Sequence, residues 1–180
     1  RPLTRAGARP GDALVVSGTL GDAALGIAPG APAALRARQR RPRPRLALGR
    51  ALGGIATACI DVSDGLLQDL GHLCRASGVG ASLRLAELPL SPAYRAATRR
   101  ARDPWAAALS GGEDYELLCA VPVPRLGAAR AAARRAGTPL AVVGSVLAGR
   151  GVQVARPDGG RYRPRRAGWD HLIRGGPSLT

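Results

Sequence analysis

Short apolar runs rich in β-branched residues alternate along this chain with segments whose leucines and alanines recur at helical spacing. Residues 13–17 read as a strand behind the Gly11-Asp12 turn signal. Gly18-Thr19-Leu20-Gly21-Asp22 leads into a short helix over 23–27, which Pro29 and Pro32 break. Residues 46–52 predict a helix, and 56–62 form an apolar run that ends among acids. Leu66, Leu67, Leu70, Leu73 and Cys74 then form one buried helical stripe, closed by Gly78 and Gly80. Residues 81–85 alternate like a strand, and a short helix begins in Leu88-Pro89-Leu90-Ser91-Pro92 and runs through Arg100. Residues 115–121 and 140–146 are strands around an Ala/Arg-rich helix over 126–136. Val152-Gln153-Val154 and the Asp158-Gly159-Gly160 turn predict a terminal hairpin. The alternation gives an α/β (α+β) domain, a mixed β-sheet with helices packed on it.

Composition narrows the class. With 180 residues and 46% hydrophobic content, one domain with a real core is expected. No apolar run reaches the ~18 residues of a membrane span, and no signal-peptide pattern is present, so no membrane partner is expected. Cys59, Cys74 and Cys119 are odd in number, lie in apolar runs and form no CxxC pair, which reads as buried free thiols in a reducing compartment, a cytoplasmic setting. The chain contains no methionine, so the expectation is an excised domain or truncated gene product holding only part of an active site.

The net charge is +15, and all 27 basic residues are arginine. Such a charge suits a nucleic-acid or anionic-surface binder. It also suits a GC-rich coding sequence, because Ala, Arg, Gly and Pro dominate while Lys, Met and Phe are absent. Aromatic residues are only 3%, which leaves little for unpaired bases to stack on, so the compositional reading is preferred and no nucleic-acid partner is expected. Residues 36–45 hold six arginines and two prolines and predict a basic loop or extended segment, either solvated or facing an anion.

Two acidic turns carry the candidate chemistry. In Ile60-Asp61-Val62-Ser63-Asp64-Gly65, Asp61 and Asp64 sit where a strand hands over to a helix. Mg2+ takes oxygen ligands, one or two of them carboxylates, with phosphate oxygens and water completing the shell. A helix N-terminus adds N–H groups that favour phosphate, and Ser63 can hydrogen-bond a phosphate or polarise a water. The alternative is that Ser63 or Asp64 is an N-cap, worth about 1 kcal/mol. A cap accounts for one aspartate and not both, and the pattern leaves both readings open. Ser110-Gly111-Gly112-Glu113-Asp114-Tyr115 places Glu113 and Asp114 at a strand entrance, where a plain solvated loop is the simpler reading. Near the end, Gly168-Trp169-Asp170-His171 sets an aromatic beside an acid and an imidazole, and His171 has no partner at metal-ligand spacing. No residue is assigned as catalytic.

In their order these blocks resemble thiamine-monophosphate kinase. The resemblance rests on Gly11-Asp12, Ser17-Gly18-Thr19-Leu20-Gly21-Asp22-Ala23-Ala24, Arg41-Pro42-Arg43-Pro44-Arg45, residues 60–73, residues 110–117 and Gly168-Trp169-Asp170-His171. It implies the C-terminal domain of the aminoimidazole-ribonucleotide-synthetase-like fold: residues 1–9 end a missing N-terminal ATP-binding domain or linker, 10–175 form the C-terminal α/β domain, and 176–180 are a tail. The family's N-terminal Gly-Asp-Asp and Gly-Gly-Asp motifs have no counterpart. The implied activity is ATP-dependent phosphorylation of thiamine monophosphate to thiamine diphosphate, with this fragment inactive alone and the full-length enzyme a homodimer. By the same resemblance Asp61 and Asp64 are Mg2+ ligands, Arg5 and Ser63 contact ATP, and Glu113 and Trp169 contact the substrate. Trp169 stands where the family often has Tyr, which keeps ring stacking and loses a hydroxyl. Gln39 stands where His is common. The competing readings are another ATP-dependent synthetase of the same superfamily (selenophosphate or purine-pathway) and a basic nucleic-acid-binding domain.

Overall fold

The computed structural model describes residues 2–164. Six strands form one mixed sheet: β1 (Ala13–Ser17), β2 (Ala58–Val62), β3 (Gly80–Arg84), β4 (Glu116–Val121), β5 (Leu140–Leu147) and β6 (Gly151–Ala155). Their order is β2-β4-β1-β5-β3-β6, antiparallel throughout except for the parallel β3–β6 pair. The helices are α1 (Asp22–Gly26), α2 (Ala33–Arg40), α3 (Leu46–Ala51), α4 (Leu66–Ser77), α5 (Pro92–Thr98), α6 (Ala106–Ser110) and α7 (Leu126–Arg135).

The sheet is covered on both faces, which is why β1 is buried along its whole length. Leu14 and Val16 of β1, Ile60 and Val62 of β2 and Leu118 and Ala120 of β4 join Leu66, Leu70 and Leu73 of α4 in the larger core. Val15, Cys119 and Val121 face the other way, onto Leu48 and Leu52 and the small residues Ala129, Ala132 and Ala133 of α7. The period-2 alternation of each strand thus divides the molecule into two cores.

Two local expectations change. The basic segment is not extended throughout, because residues 33–40 form α2. Ala, Leu, Arg and Gln are strong helix formers, Leu35 anchors the helix in the interior, and the helix stops before Pro42. The terminal hairpin shrinks to a single Ala155–Arg161 bridge, flanked by an Arg156 N–H bond to the Gly160 carbonyl and a Tyr162 N–H bond to the Val154 carbonyl. The loop 148–150 passes over the start of β3 at Gly80, so β6 finds its ladder on the far edge of β3. Ser91 caps α5 by accepting the Tyr94 N–H at 2.9 Å, and Pro92 takes its first position.

Candidate functional site

The two acidic turns interlock. Alternation along β2 buries Ile60 and Val62 and sends Cys59 and Asp61 to the opposite face, where Asp61 is exposed. Beyond the strand, the Glu113 N–H donates to the Ser63 carbonyl and the Tyr115 N–H to the Val62 carbonyl, both at 2.8 Å. Two glycines permit the contact. A Cβ on Gly65 would sit 2.9 Å from the Ser110 Cα, and one on Gly112 would sit 2.7 Å from the Ser63 carbonyl oxygen. Both have left-handed φ, +111° and +71°. Gly112→Ala is therefore expected to destabilise the domain by more than ~1 kcal/mol, read as a lower urea midpoint; an unchanged midpoint would show that the turns are not locked together.

A residue that the sequence reading passed over organises the first turn. The backbone N–H groups of Ser63 and Asp64 both donate to Oδ2 of Asp69, each at 3.0 Å. Asp69 is buried in the first turn of α4. Its carboxyl is pushed above the usual range by burial, against the pull of those two N–H groups, with the Asp64 and Asp61 charges adding to the rise. The N-cap of α4 is Gly65, with no side-chain cap, so neither Ser63 nor Asp64 plays that role. The Ser63 and Asp64 amides are occupied by Asp69, and both residues are half-buried. Gln68 Nε2 donates to Asp64 Oδ2 at 3.3 Å. The signal for Asp69 was present in the sequence as an acid inside the apolar stripe of α4.

The second turn holds unusual backbone. Glu113 and Tyr115 have φ of +62° and +50°, a region that non-glycine residues rarely occupy. Between them Asp114 turns inward and accepts the Gly21 N–H at 2.8 Å at the start of α1. Burial pushes its carboxyl up to about 7, against the Gly21 and Ala23 N–H groups. Unfolded Asp114 loses its proton near 3.8, so between roughly pH 4 and 7 the unfolded state binds fewer protons than the folded one. Stability from this group falls as pH rises through that window. Melting curves of the wild type and Asp114→Asn should diverge in favour of the variant from pH 4 to 7 and run parallel above it; a constant offset would contradict the raised value.

Next in the chain, Glu116 closes a buried ion cluster that the sequence reading also missed. Its carboxylate accepts the Ser17 hydroxyl at 2.5 Å, Arg38 Nη2 at 2.7 Å, Arg45 Nε at 2.7 Å and Arg45 Nη2 at 2.6 Å. The bond to Glu116 raises the Arg45 pKa, with burial opposing it. Two arginines of the basic segment thus face an anion of the protein itself. Arg45 also separates two hollows. One is a largely apolar groove of about 760 Å3, onto which Asp61, Cys59, Tyr115 and Leu117 open. The other, of about 490 Å3, is lined by Thr19, Asp22, Arg38 and Ser91.

The structure thus brings Asp61, Ser63, Asp64 and Glu113 to one end of the sheet. Arg5 lies beside the start of β2: it is exposed, its carbonyl accepts the Ser77 hydroxyl at 3.1 Å, and the neighbouring Thr4 carbonyl accepts the Cys59 N–H at 2.8 Å. Trp169 lies outside the described residues. Among the described residues no three carboxylate, imidazole or thiol side chains converge on one point as a cation cage. Asp61 and Asp64 nevertheless fit Mg2+, which needs only one or two carboxylates when phosphate and water supply the rest. Asp69 serves the turn itself, its Oδ2 accepting the Ser63 and Asp64 N–H groups.

Residues 9–156 match the family described as AIR synthase related protein, C-terminal domain. The chain belongs to this family. The mixed sheet with its covering helices is the C-terminal fold expected from the sequence. Among curated relatives, it is 40% identical over 178 residues to thiamine-monophosphate kinase of Caulobacter vibrioides, covering 94% of this chain and 50% of the relative. It is 44% identical over 161 residues to thiamine-monophosphate kinase of Escherichia coli (strain K12), covering 82% of this chain and 48% of that one. Among solved structures, thiamine-monophosphate kinase from Stenotrophomonas maltophilia K279a superposes with a TM-score of 0.79 at 39% identity, covering 89% of this chain and 54% of the other. A structure described as AaThiL complexed with AMPPCP and TMP superposes with a TM-score of 0.78 at 33% identity, covering 94% and 54%. This AIR synthase related domain therefore spans about half the length of the curated relatives it matches.

Proposed function

We propose that this chain is the C-terminal half of an ATP-dependent thiamine-monophosphate kinase. The supporting observation is the interlocked pair of turns: they present Asp61, Ser63, Asp64 and Glu113 together, on a domain whose relatives at 40% and 44% identity carry that name. The reaction joins two phosphates. A phosphate oxygen of thiamine monophosphate attacks the γ-phosphorus of ATP, and ADP leaves with the electron pair of the broken P–O bond. Little covalent help is needed; positioning and charge neutralisation carry such transfers.

Each residue has a role in this reading. Asp61 and Asp64 hold Mg2+, which when bound offsets the charge of the crowded phosphates. Ser63 offers its hydroxyl to a nucleotide phosphate, and its amide bond to Asp69 fixes where that hydroxyl stands. Glu113, presented by its left-handed backbone, meets the thiamine moiety. By resemblance, Arg5 contacts ATP and Trp169 the substrate ring. The same reading includes a full-length homodimer and the cytosol, which suits three free thiols. No described helix is long and apolar enough to cross a membrane.

Glu113 supplies a test specific to the substrate. In the kinase carrying both halves, Glu113→Ala is expected to raise KM for thiamine monophosphate about tenfold, the value of a lost hydrogen bond to a charged group, and to leave KM for ATP nearly unmoved. An equal rise in both constants would remove Glu113 from the substrate site.

A further inference from the structure

Cys59 and Cys119 face each other across the β2–β4 ladder. They are register partners on antiparallel strands. The Cys59 N–H donates to the Thr4 carbonyl at 2.8 Å, away from β4, so the pair occupies a non-hydrogen-bonded position of the β2–β4 ladder. At such positions the Cα atoms are about 4.5 Å apart and the side chains closest, inside the roughly 4.4–6.8 Å that a disulfide spans. The two sulfurs are already in contact: the Cys119 thiol donates to Cys59 Sγ at 3.1 Å. Cys119 is buried, whereas Cys59 is half-buried and opens onto the groove that Asp61 and Tyr115 share. Cys74, the third cysteine, belongs to the other core, with α4.

We infer that Cys59 and Cys119 form a redox modification site, a dithiol that closes to a cross-strand disulfide on meeting a small-molecule disulfide in the groove. This is independent of the kinase reading. The Cys59 sulfur, which accepts the Cys119 proton and faces solvent, attacks one sulfur of the oxidant. The oxidant's S–S bond breaks, and its second sulfur leaves as a thiol with the Cys59 proton. The Cys119 sulfur then attacks Cys59 Sγ, the mixed disulfide breaks, and the second small thiol departs with the Cys119 proton. Two protein thiols are oxidised and one small disulfide is reduced to two thiols. The product bolts the strand that delivers Asp61 to the strand that leaves the second acidic turn. It also closes a covalent loop between residues 60 positions apart, which constrains the unfolded chain.

The test uses the 180-residue chain in a buffer of reduced and oxidised glutathione, quenched with N-ethylmaleimide and read by intact mass and peptide mapping. The native chain should fall from three alkylated thiols to one, Cys74, with the Cys59 and Cys119 peptides joined and the urea midpoint raised. Cys119→Ala should stop at one glutathione on Cys59. Cys59→Ala should leave Cys119 unmodified. The wild-type map requires no substitution, so it stands even where a variant folds poorly. Three thiols persisting under excess glutathione disulfide, a bridge that includes Cys74, or a stable glutathione adduct on the wild-type chain would each overturn the inference.

Discussion

In a kinase that carries both halves, Asp64→Asn is expected to lower turnover about 100-fold or more while leaving the unfolding midpoint close to the wild-type value. The size follows from chemistry. A metal that neutralises phosphate charge is worth several kcal/mol in the transition state, and each 1.36 kcal/mol is a factor of ten in rate. The small effect on stability follows from the structure. The turn is held by backbone bonds to Asp69 and by the Glu113 and Tyr115 amides, and none of these uses the Asp64 side chain. Asparagine keeps the shape and an oxygen that can still accept from Gln68. Asp61→Asn should behave alike, because Asp61 is exposed at the groove and supports no part of the core. An unchanged rate in either variant would remove that residue from the metal site, and a collapsed fold would show that the aspartate is structural.

Glu116→Ala is expected to have the opposite profile, with a loss of stability of about 3 kcal/mol or more. Glu116 is 1% exposed and receives both arginines, whose side chains are 24% and 13% exposed. Removing the carboxylate leaves two guanidinium groups side by side without their counter-charge, and the Ser17 hydroxyl loses its acceptor. Much of the cost comes from those stranded charges. Adding Arg45→Met to Glu116→Ala should therefore recover part of the loss. Urea unfolding measures both. A change below about 1 kcal/mol in the single variant, or no recovery in the double one, would mean that the cluster is solvated in solution.

How far the sequence could be read depended on whether a feature was local. The stripe Leu66, Leu67, Leu70, Leu73, Cys74 and the apolar runs of β1, β4 and β5 report their own burial through periodicity, and each forms the element that its pattern predicts. Asp61 and Asp64 were visible as a pair because they are three residues apart. Asp69 and Glu116 were harder. Each stands alone in an apolar segment, and its meaning depends on partners brought in by the fold, five or six residues away for Asp69 and 71 to 99 residues away for Glu116. The basic segment was misread for the same reason. Six arginines suggest mutual repulsion, but Arg38 and Arg45 are neutralised by a carboxylate on a strand far away in sequence, and helix propensity prevails over residues 33–40. The strand β6 shows a topological limit, since no local pattern says which edge a strand will join. The interlocking of the turns rests on Gly65 and Gly112, whose missing side chains matter only once both turns are in place.

A product assay decides whether this domain serves a thiamine-monophosphate kinase. The chain is joined behind the N-terminal half of the Caulobacter vibrioides relative, supplied with ATP, Mg2+ and thiamine monophosphate, and the thiamine species are separated by chromatography. The joined protein should form thiamine diphosphate and ADP mole for mole, and the isolated 180-residue chain should form none. A folded joined protein that yields no thiamine diphosphate, or an isolated chain that yields it unaided, would contradict the assignment.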